Sequence, residues 1–375
     1  MRILHLADLH LGWHPGWLGD RAKARQRERD SLLERAVDYA VASVHGIRLV
    51  IIAGDLFETH QPEPGLVGAV LRQLRRLEAA GVQLVTVPGN HDEITYHNSV
   101  YRVYGREWPG LLVENPHPEH VRRLDVGGET CHFYSLAYTG GITRAGTPLS
   151  SFPRRDEPGW HLASFHGSLD WNAGDRSLPL ASSGLSQAQY DYVALGHLHG
   201  HRVAELGAGL AVYPGAVEGK GFNDPGVGCF TVADLRPGKV SVAKVPAGAR
   251  AIITRTVGMT GGAGELETVI SGLADREAMV RVVLTGAGAG EPDLEGLAGR
   301  LGPLFYHLEL VDQTTVLSED MLEVYARELT IRGLFVRRLQ EKLAAATGDH
   351  EAKPVWRALR LGLASLQGPG EGRAR

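Results

Sequence analysis

Ile3-Leu4-His5-Leu6-Ala7-Asp8-Leu9-His10 sets the fold: a short apolar run stops at two residues that bind metals well. The pattern returns four times. Gly54-Asp55 follows residues 49–53, Gly89-Asn90-His91-Asp92 follows 82–87, Phe165-His166-Gly167 closes 162–165, and Gly196-His197-Leu198-His199 follows 192–195. Runs of this kind read as buried parallel strands. An α/β fold is therefore expected, and in layered α/β proteins ligands bind in the crevice at the carboxyl ends of the strands. Residues far apart in sequence would meet there.

Asp8, His10, Asp55, Asn90, His166, His197 and His199 are the candidate ligands. Oxygen and imidazole donors without thiolate point to Mn²⁺, Mg²⁺, Fe or Zn²⁺, and the mixed carboxylate, amide and histidine set suits manganese best. That many ligands exceeds the need of one open catalytic ion, so two divalent ions are expected. A carboxylate such as Asp55 can bridge two ions about 3.5–4 Å apart, an arrangement that activates water and clamps phosphate oxygens. Each fragment alone has a bland reading. Asp-x-His can cap a strand end, Gly-Asn-His-Asp can be a turn, and His166 can be a satisfied core histidine. The order of all five, each after a strand, carries the weight.

On these blocks the chain resembles the calcineurin-like metallophosphoesterases and, within them, the SbcD-type double-strand-break repair nucleases. The resemblance runs over residues 1 to 230. It implies a four-layer β-sandwich flanked by helices, with a small α+β capping domain and a helical carboxyl-terminal arm. It also implies that Asp8, His10, Asp55 and His199 hold one ion and Asp55, Asn90, His166 and His197 the other. His91 would be the non-ligand histidine that assists the leaving oxygen. Asp92 is expected to orient its imidazole, since a catalytic histidine needs a partner that sets tautomer and direction. Leu6-Ala7-Asp8-Leu9-His10-Leu11-Gly12, Ala53-Gly54-Asp55-Leu56-Phe57 and Tyr213-Pro214-Gly215-Ala216 look like the repair-nuclease versions. One departure stands out: several relatives carry histidine after the Gly-Asp-Leu-Phe segment, where this chain has Glu58. His60, two residues on, is read as a loop residue.

The implied activity is a Mn-dependent DNA exonuclease and endonuclease in double-strand-break end processing. Its implied partners are DNA, an SbcC-type ATPase and a second copy of the chain. Two other readings stay open: a metallophosphoesterase acting on a small phosphodiester or a phosphoprotein, and a metal-binding scaffold without turnover. The additional cap and arm favour the nuclease, and the retained His91 argues against the scaffold.

At 375 residues the chain has room for more than one domain, and 43% apolar content is ample for a core. No apolar stretch approaches the roughly 20 residues of a membrane helix, and the sequence enters its first strand without a leader-like segment, so a cytoplasmic address is expected. Cys131 and Cys229 are isolated and suggest neither a disulfide framework nor a metal site. A net charge of −4 confines any polyanion binding to local patches. Arg21-Ala-Lys-Ala-Arg-Gln-Arg-Glu-Arg29 is the best of them, continuing into Leu32, Leu33, Ala36, Val37 and Ala40 as one amphipathic helix. Its basic start reads either as a solvated face or as a phosphate contact. Trp13, His14 and Trp17 before it either stack on bases or cap the core.

Domain boundaries are placed at 1–250 for the phosphoesterase domain, 251–315 for the capping domain, 316–366 for the arm and 367–375 for a disordered tail. Gly261-Gly262 and Gly286-Ala-Gly-Ala-Gly290 punctuate the cap without a nucleotide-binding fingerprint. In the arm, Ser318 is expected to cap a helix reaching Leu343, and a second helix to run from Lys353. This pair is too apolar to stay solvated alone. The resemblance assigns it to the coiled-coil base of the ATPase, and packing onto its own domain or a second copy is the alternative.

Overall fold

Every apolar run ahead of a motif is a strand in the computed structural model, which describes residues 1–140, 148–170, 177–258, 263–285, 293–314 and 319–366. The chain divides into two compact units, Met1–Ala251 and Ile252–Arg375. In the first unit the strands are β1 (Arg2–Leu6), β2 (Ile47–Ala53), β3 (Gln83–Val87), β4 (Leu111–Leu112), β5 (Glu119–Val126), β6 (Glu129–Ser135), β7 (Trp160–Leu169), β8 (Leu178–Leu180), β9 (Tyr192–Gly196), β10 (Arg202–Leu206), β11 (Gly209–Tyr213), β12 (Cys229–Arg236) and β13 (Lys239–Pro246). One sheet has the order β13-β12-β1-β2-β3-β4 and the other β10-β11-β9-β7-β6-β5, with β8 paired to β7. β1, β2 and β3 run parallel with Leu6 opposite Ile52 and Ala53 opposite Val87, so their carboxyl ends are nearly flush.

Alternation along β1 shows how the layers form. Leu4 and Leu6, with Val50 and Ile52, meet Leu33, Ala36 and Val37 of helix α2 (Leu32–Val41) and Leu74 and Leu77 of α3 (Pro64–Ala79), which follow α1 (Ala22–Asp30). The opposite face carries His5, whose Nδ1 lies 2.9 Å from the Tyr192 hydroxyl on β9. Ile3, Ile51 and Val85 share one buried cluster with Phe133, Leu162 and Ala194 of the second sheet. The far side of that sheet packs Ala163, Phe165 and Leu195 against Leu185 and Ala188 of the helix Ser182–Ala188. Helix, sheet, sheet and helix make the four layers expected.

The basic segment departs from expectation. The helix is broken into α1 and α2 at Ser31, whose hydroxyl donates to the Glu28 carbonyl at 2.7 Å. Two of its arginines are buried and so are neither a solvated face nor a phosphate contact. Arg25 pairs with Glu218 at 2.5 Å, and Arg29 donates to the carbonyls of Leu9 at 3.0 Å, Glu218 at 2.8 Å and Gly219 at 2.6 Å. These bonds tie the loop behind Asp8 to a segment nearly two hundred residues away.

In the second unit β14 (Ile252–Gly258), β15 (Met279–Thr285) and β16 (His307–Asp312) form a parallel sheet, with the helices Ala263–Ser271 and Leu294–Leu301 as its crossovers. Ile270, Val280, Val282, Leu297 and Leu301 are its core. Three helices follow, Glu319–Ala326, Ile331–Ala345 and Asp349–Leu366, where two were expected. The single helix expected up to Leu343 stops because Thr330 caps a new one, its Oγ1 accepting from Gly333 N at 3.2 Å. The last helix begins at Asp349, ahead of Lys353. The Ser318 cap, both glycine clusters and the tail lie outside the described residues. Among the described residues no helix is long and apolar enough to cross a membrane.

Candidate metal centre

After β1 and β2 the two chains stay together beyond the sheet. Asp8 N donates to Gly54 O at 3.1 Å, His10 N to Asp55 O at 2.9 Å and Leu11 N to Leu56 O at 2.9 Å. This turns Asp8, His10 and Asp55 inwards at an energetic cost. Their φ angles are +54°, +49° and +50°, and His197 has +101°. A non-glycine residue held at such angles costs on the order of 1–3 kcal/mol and persists only where the surroundings impose it. Gly54, at φ +90°, is required twice over, since a Cβ there would run into the His166 imidazole. At Gly89 a Cβ would collide with the Asp55 carboxylate. The glycines of two motifs are thus the space their neighbours occupy.

All seven candidate ligands meet. His10 Nε2 lies 3.1 Å from His199 Nε2 and 3.8 Å from Asp55 Oδ2. His166 Nε2 is 3.4 Å from Asp55 Oδ2 and 2.9 Å from Asn90 Oδ1, which His197 Nδ1 approaches to 3.0 Å. The Asp8 carboxylate accepts the His197 backbone N–H at 3.0 Å. Ligand atoms of Asp8, His10 and His199 fall within 4.8 Å of one another, as do those of Asp8, Asp55 and His166, and of His10, Asp55 and His91. His166 sits inside β7 and not beyond its end. Its Nδ1 faces the Ala53 carbonyl at 2.9 Å, which puts the proton on Nδ1 and leaves Nε2 as a donor atom.

His91 lies beside this cluster, its backbone N–H donating to Asp55 Oδ1 at 2.8 Å and its side chain about a third exposed at 35%. The expected role of Asp92 as the partner of that imidazole is corrected. Asp92 is fully buried, and its carboxylate accepts from Gly89 N at 2.7 Å, Phe57 N at 3.1 Å and the Tyr101 hydroxyl at 2.7 Å. It anchors the loop. The His91 Nδ1 faces the Glu58 carbonyl at 3.1 Å instead.

Glu58 and Asp224 are the residues that the motifs did not reveal. The Glu58 carboxylate is 3.0 Å from His10 Nδ1 and 2.8 Å from Lys220 Nζ. Asp224 Oδ2 is 2.6 Å from His199 Nδ1. Each carboxylate holds the outer nitrogen of a histidine whose inner nitrogen points into the cluster, the arrangement by which outer groups orient metal-binding imidazoles. The signal for Glu58 was its place directly after Asp-Leu-Phe; Asp224 had none. His60 stacks on Tyr96 at 4.1 Å, as a loop residue would.

Electrostatics in the cluster are those of a site prepared for positive charge. Burial works against charge on Asp55, yet the adjacent His166, and then His10, drive its carboxyl below the usual range. Burial likewise opposes charge on His166, but Asp55 overrides it and lifts the imidazole to about 9. Asp8 rises to about 6 through burial, reinforced by the like charge of Asp55. His10 falls to about 4 because burial outweighs its hydrogen bond to Glu58. Carboxylate, amide and imidazole oxygen and nitrogen atoms face each other across gaps of 2.9–3.8 Å. Divalent cations fit this donor set, replacing the protons that otherwise hold such groups together.

A model of the calcineurin-like phosphoesterase family matches residues 1–201. The chain is 25% identical over 252 residues to a Bacillus subtilis protein named uncharacterized metallophosphoesterase YhaO, covering 64% of this chain and 59% of that one. It is 27% identical over 227 residues to the DNA double-strand break repair protein Mre11 of Methanopyrus kandleri, covering 58% and 49%. Against one component of the SbcCD nuclease of Escherichia coli, identity is 33% over 98 residues, 26% and 23% of the two chains. The chain therefore spans less than two thirds of the length of each of these relatives.

Proposed function

We propose that this chain, which belongs to the calcineurin-like phosphoesterase family, is a two-metal phosphodiesterase that cuts DNA during double-strand-break end processing. The observation that carries the reading is the meeting of seven nitrogen and oxygen donors, Asp8, His10, Asp55 and His166 buried and Asn90, His197 and His199 half-buried, with His91 beside them. Asp8, His10, Asp55 and His199 hold one ion in this reading, and Asp55, Asn90, His166 and His197 the other. Manganese suits these donors best, with magnesium, iron or zinc as the other candidates. Bound ions of this kind supply Lewis acidity and an activated water at neutral pH.

The protein's own share falls to His91. Because its Nδ1 meets the Glu58 carbonyl, that nitrogen carries the proton and Nε2 is left to act on the departing oxygen. The Glu58 carboxylate also lies 3.9 Å from Nδ1, so the ring is held with Nε2 turned to the position from which a proton can be given to the departing oxygen.

Relatives named for double-strand-break repair and for the SbcCD nuclease support DNA as the substrate. In the same reading residues 251–315 cap the site, residues 316–366 dock an SbcC-type ATPase, and the chain works as a homodimer in the cytoplasm. The test incubates purified protein and Mn²⁺ with labelled duplex DNA, beside a chromogenic phosphodiester. Cleavage of both is expected. Hydrolysis of the dye alone would point to a small phosphodiester or a phosphoprotein, and hydrolysis of neither by a metal-loaded protein to a scaffold.

A further inference from the structure

Trp17, in a 3₁₀ turn at Gly16–Arg21, and Phe222, about two hundred residues later, meet on the hairpin whose Lys220 and Asp224 reach the partners of the candidate ligands. Their ring centroids are 6.0 Å apart and tilted by 49°. Trp17 keeps 45% of its surface in water, while its neighbour Leu18 is buried and anchors the segment. Phe222 and Asn223 form the tip of a tight hairpin closed by Gly221 N to Asp224 O at 3.2 Å and Asp224 N to Gly221 O at 2.9 Å.

That hairpin is wired to the cluster at both sides of its tip. Asp224 holds His199, and Lys220 holds the Glu58 carboxylate that holds His10. Phe222 is two residues from each, so the aromatic pair is confined to the neighbourhood of the candidate ligands. Helix α1 starts five residues after Trp17 and leaves Lys23 and Arg27 exposed one turn apart, on one side of the helix. Their partners in the same run, Arg25 and Arg29, are consumed by internal bonds. A half-exposed Trp17 packed on a half-buried Phe222, a hairpin bonded to the groups that hold two candidate ligands and two exposed cations on the helix that follows Trp17 are the components of a single-strand site, in which bases stack while the backbone follows positive charge.

We propose that Trp17 and Phe222 form a stacking site for an unpaired nucleobase of the strand held at the metal centre, which makes the enzyme favour single-stranded or frayed ends. The site rests on the DNA reading given above. Bases are taken without regard to identity, since each has a π-face. Paired bases in an intact duplex cannot enter.

Binding of a fluorescently labelled single-stranded oligonucleotide, followed by anisotropy in EDTA, tests the site apart from turnover; cleavage with Mn²⁺ is followed in parallel. Trp17→Ala and Phe222→Leu should each weaken binding, Trp17→Ala by about 5- to 150-fold if one base is stacked. Trp17→Phe should restore most of it. An oligonucleotide of abasic sugars should bind wild-type protein as weakly as the normal strand binds Trp17→Ala, and Trp17→Ala should no longer distinguish the two. If either variant fails to fold, the other variant and the abasic strand decide the matter. Wild-type protein that binds both strands equally would overturn the stacking site and leave the DNA reading standing. Wild-type protein that hydrolyses a chromogenic diester but neither binds nor cuts any oligonucleotide would overturn both.

Discussion

His91 and Asp92 are adjacent, and the structure gives them different work. His91 donates its backbone N–H to the Asp55 carboxylate and presents a partly exposed ring held at Nδ1 by the Glu58 carbonyl. His91→Asn should therefore lower phosphodiester cleavage about 10²–10⁴-fold, the usual worth of a positioned proton donor. Both ions should stay bound, as plasma emission on the dialysed protein would report. Loss of metal with activity would make His91 a ligand. Asp92→Ala should act on stability instead, because it leaves Gly89 N, Phe57 N and the Tyr101 hydroxyl unsatisfied in the interior. Each stranded group costs about 1–3 kcal/mol. Urea unfolding should show a loss of several kcal/mol; unchanged stability with lost turnover would return Asp92 to the imidazole.

The strands β1, β2, β3, β7 and β9 were legible in the sequence because their apolar runs and the motifs that end them are contiguous. The candidate ligands were legible for the same reason. What could not be read depends on partners distant in sequence. Arg25 and Arg29 look like surface cations until Glu218 and the carbonyls beside it are in place, and Asp92 looks like the partner of His91 until Phe57 and Tyr101 close over it. The break before Ile331 was local but hidden in an apolar pattern that crosses it, with Leu329 wholly exposed in the gap. At the same scale β1 makes a prediction. His5 is buried between the sheets against Tyr192, and burial, helped by His201, pushes its imidazole down to about 3. Between about pH 6.5 and 3 the unfolded chain binds a proton at His5 that the folded chain refuses, so stability is present above pH 6.5 and is lost as the pH falls. The slope reaches about 1.4 kcal/mol per pH unit for one group. Unfolding free energies of wild type and His5→Gln, measured from pH 7 to 4.5, should converge as the pH falls; parallel curves would show that His5 takes up its proton while folded.

For the whole molecule the question is which part the chemistry can do without. The three helices from Glu319 to Leu366 bury Leu322, Val336, Leu359 and Leu363 among themselves, in a cluster that shares no member with the core of the β14-β15-β16 sheet. They also leave Val324, Leu329, Ile331 and Leu334 in water, at 62%, 100%, 76% and 53% exposure. Isolated apolar residues on a surface need no explanation, but several on neighbouring turns of one small helical group are the usual mark of a partner site. None of the candidate ligands lies beyond His199. Truncation after Gln313 should therefore leave Mn²⁺-dependent hydrolysis of a small diester close to that of the full chain, while association with an SbcC-type ATPase in a pull-down is lost. Processing of blocked or long duplex ends, which depends on that association in the proposed reading, should fall with it. A truncated chain that still captures the ATPase would place the docking surface elsewhere, and one that fails to fold would make these helices part of the structural core.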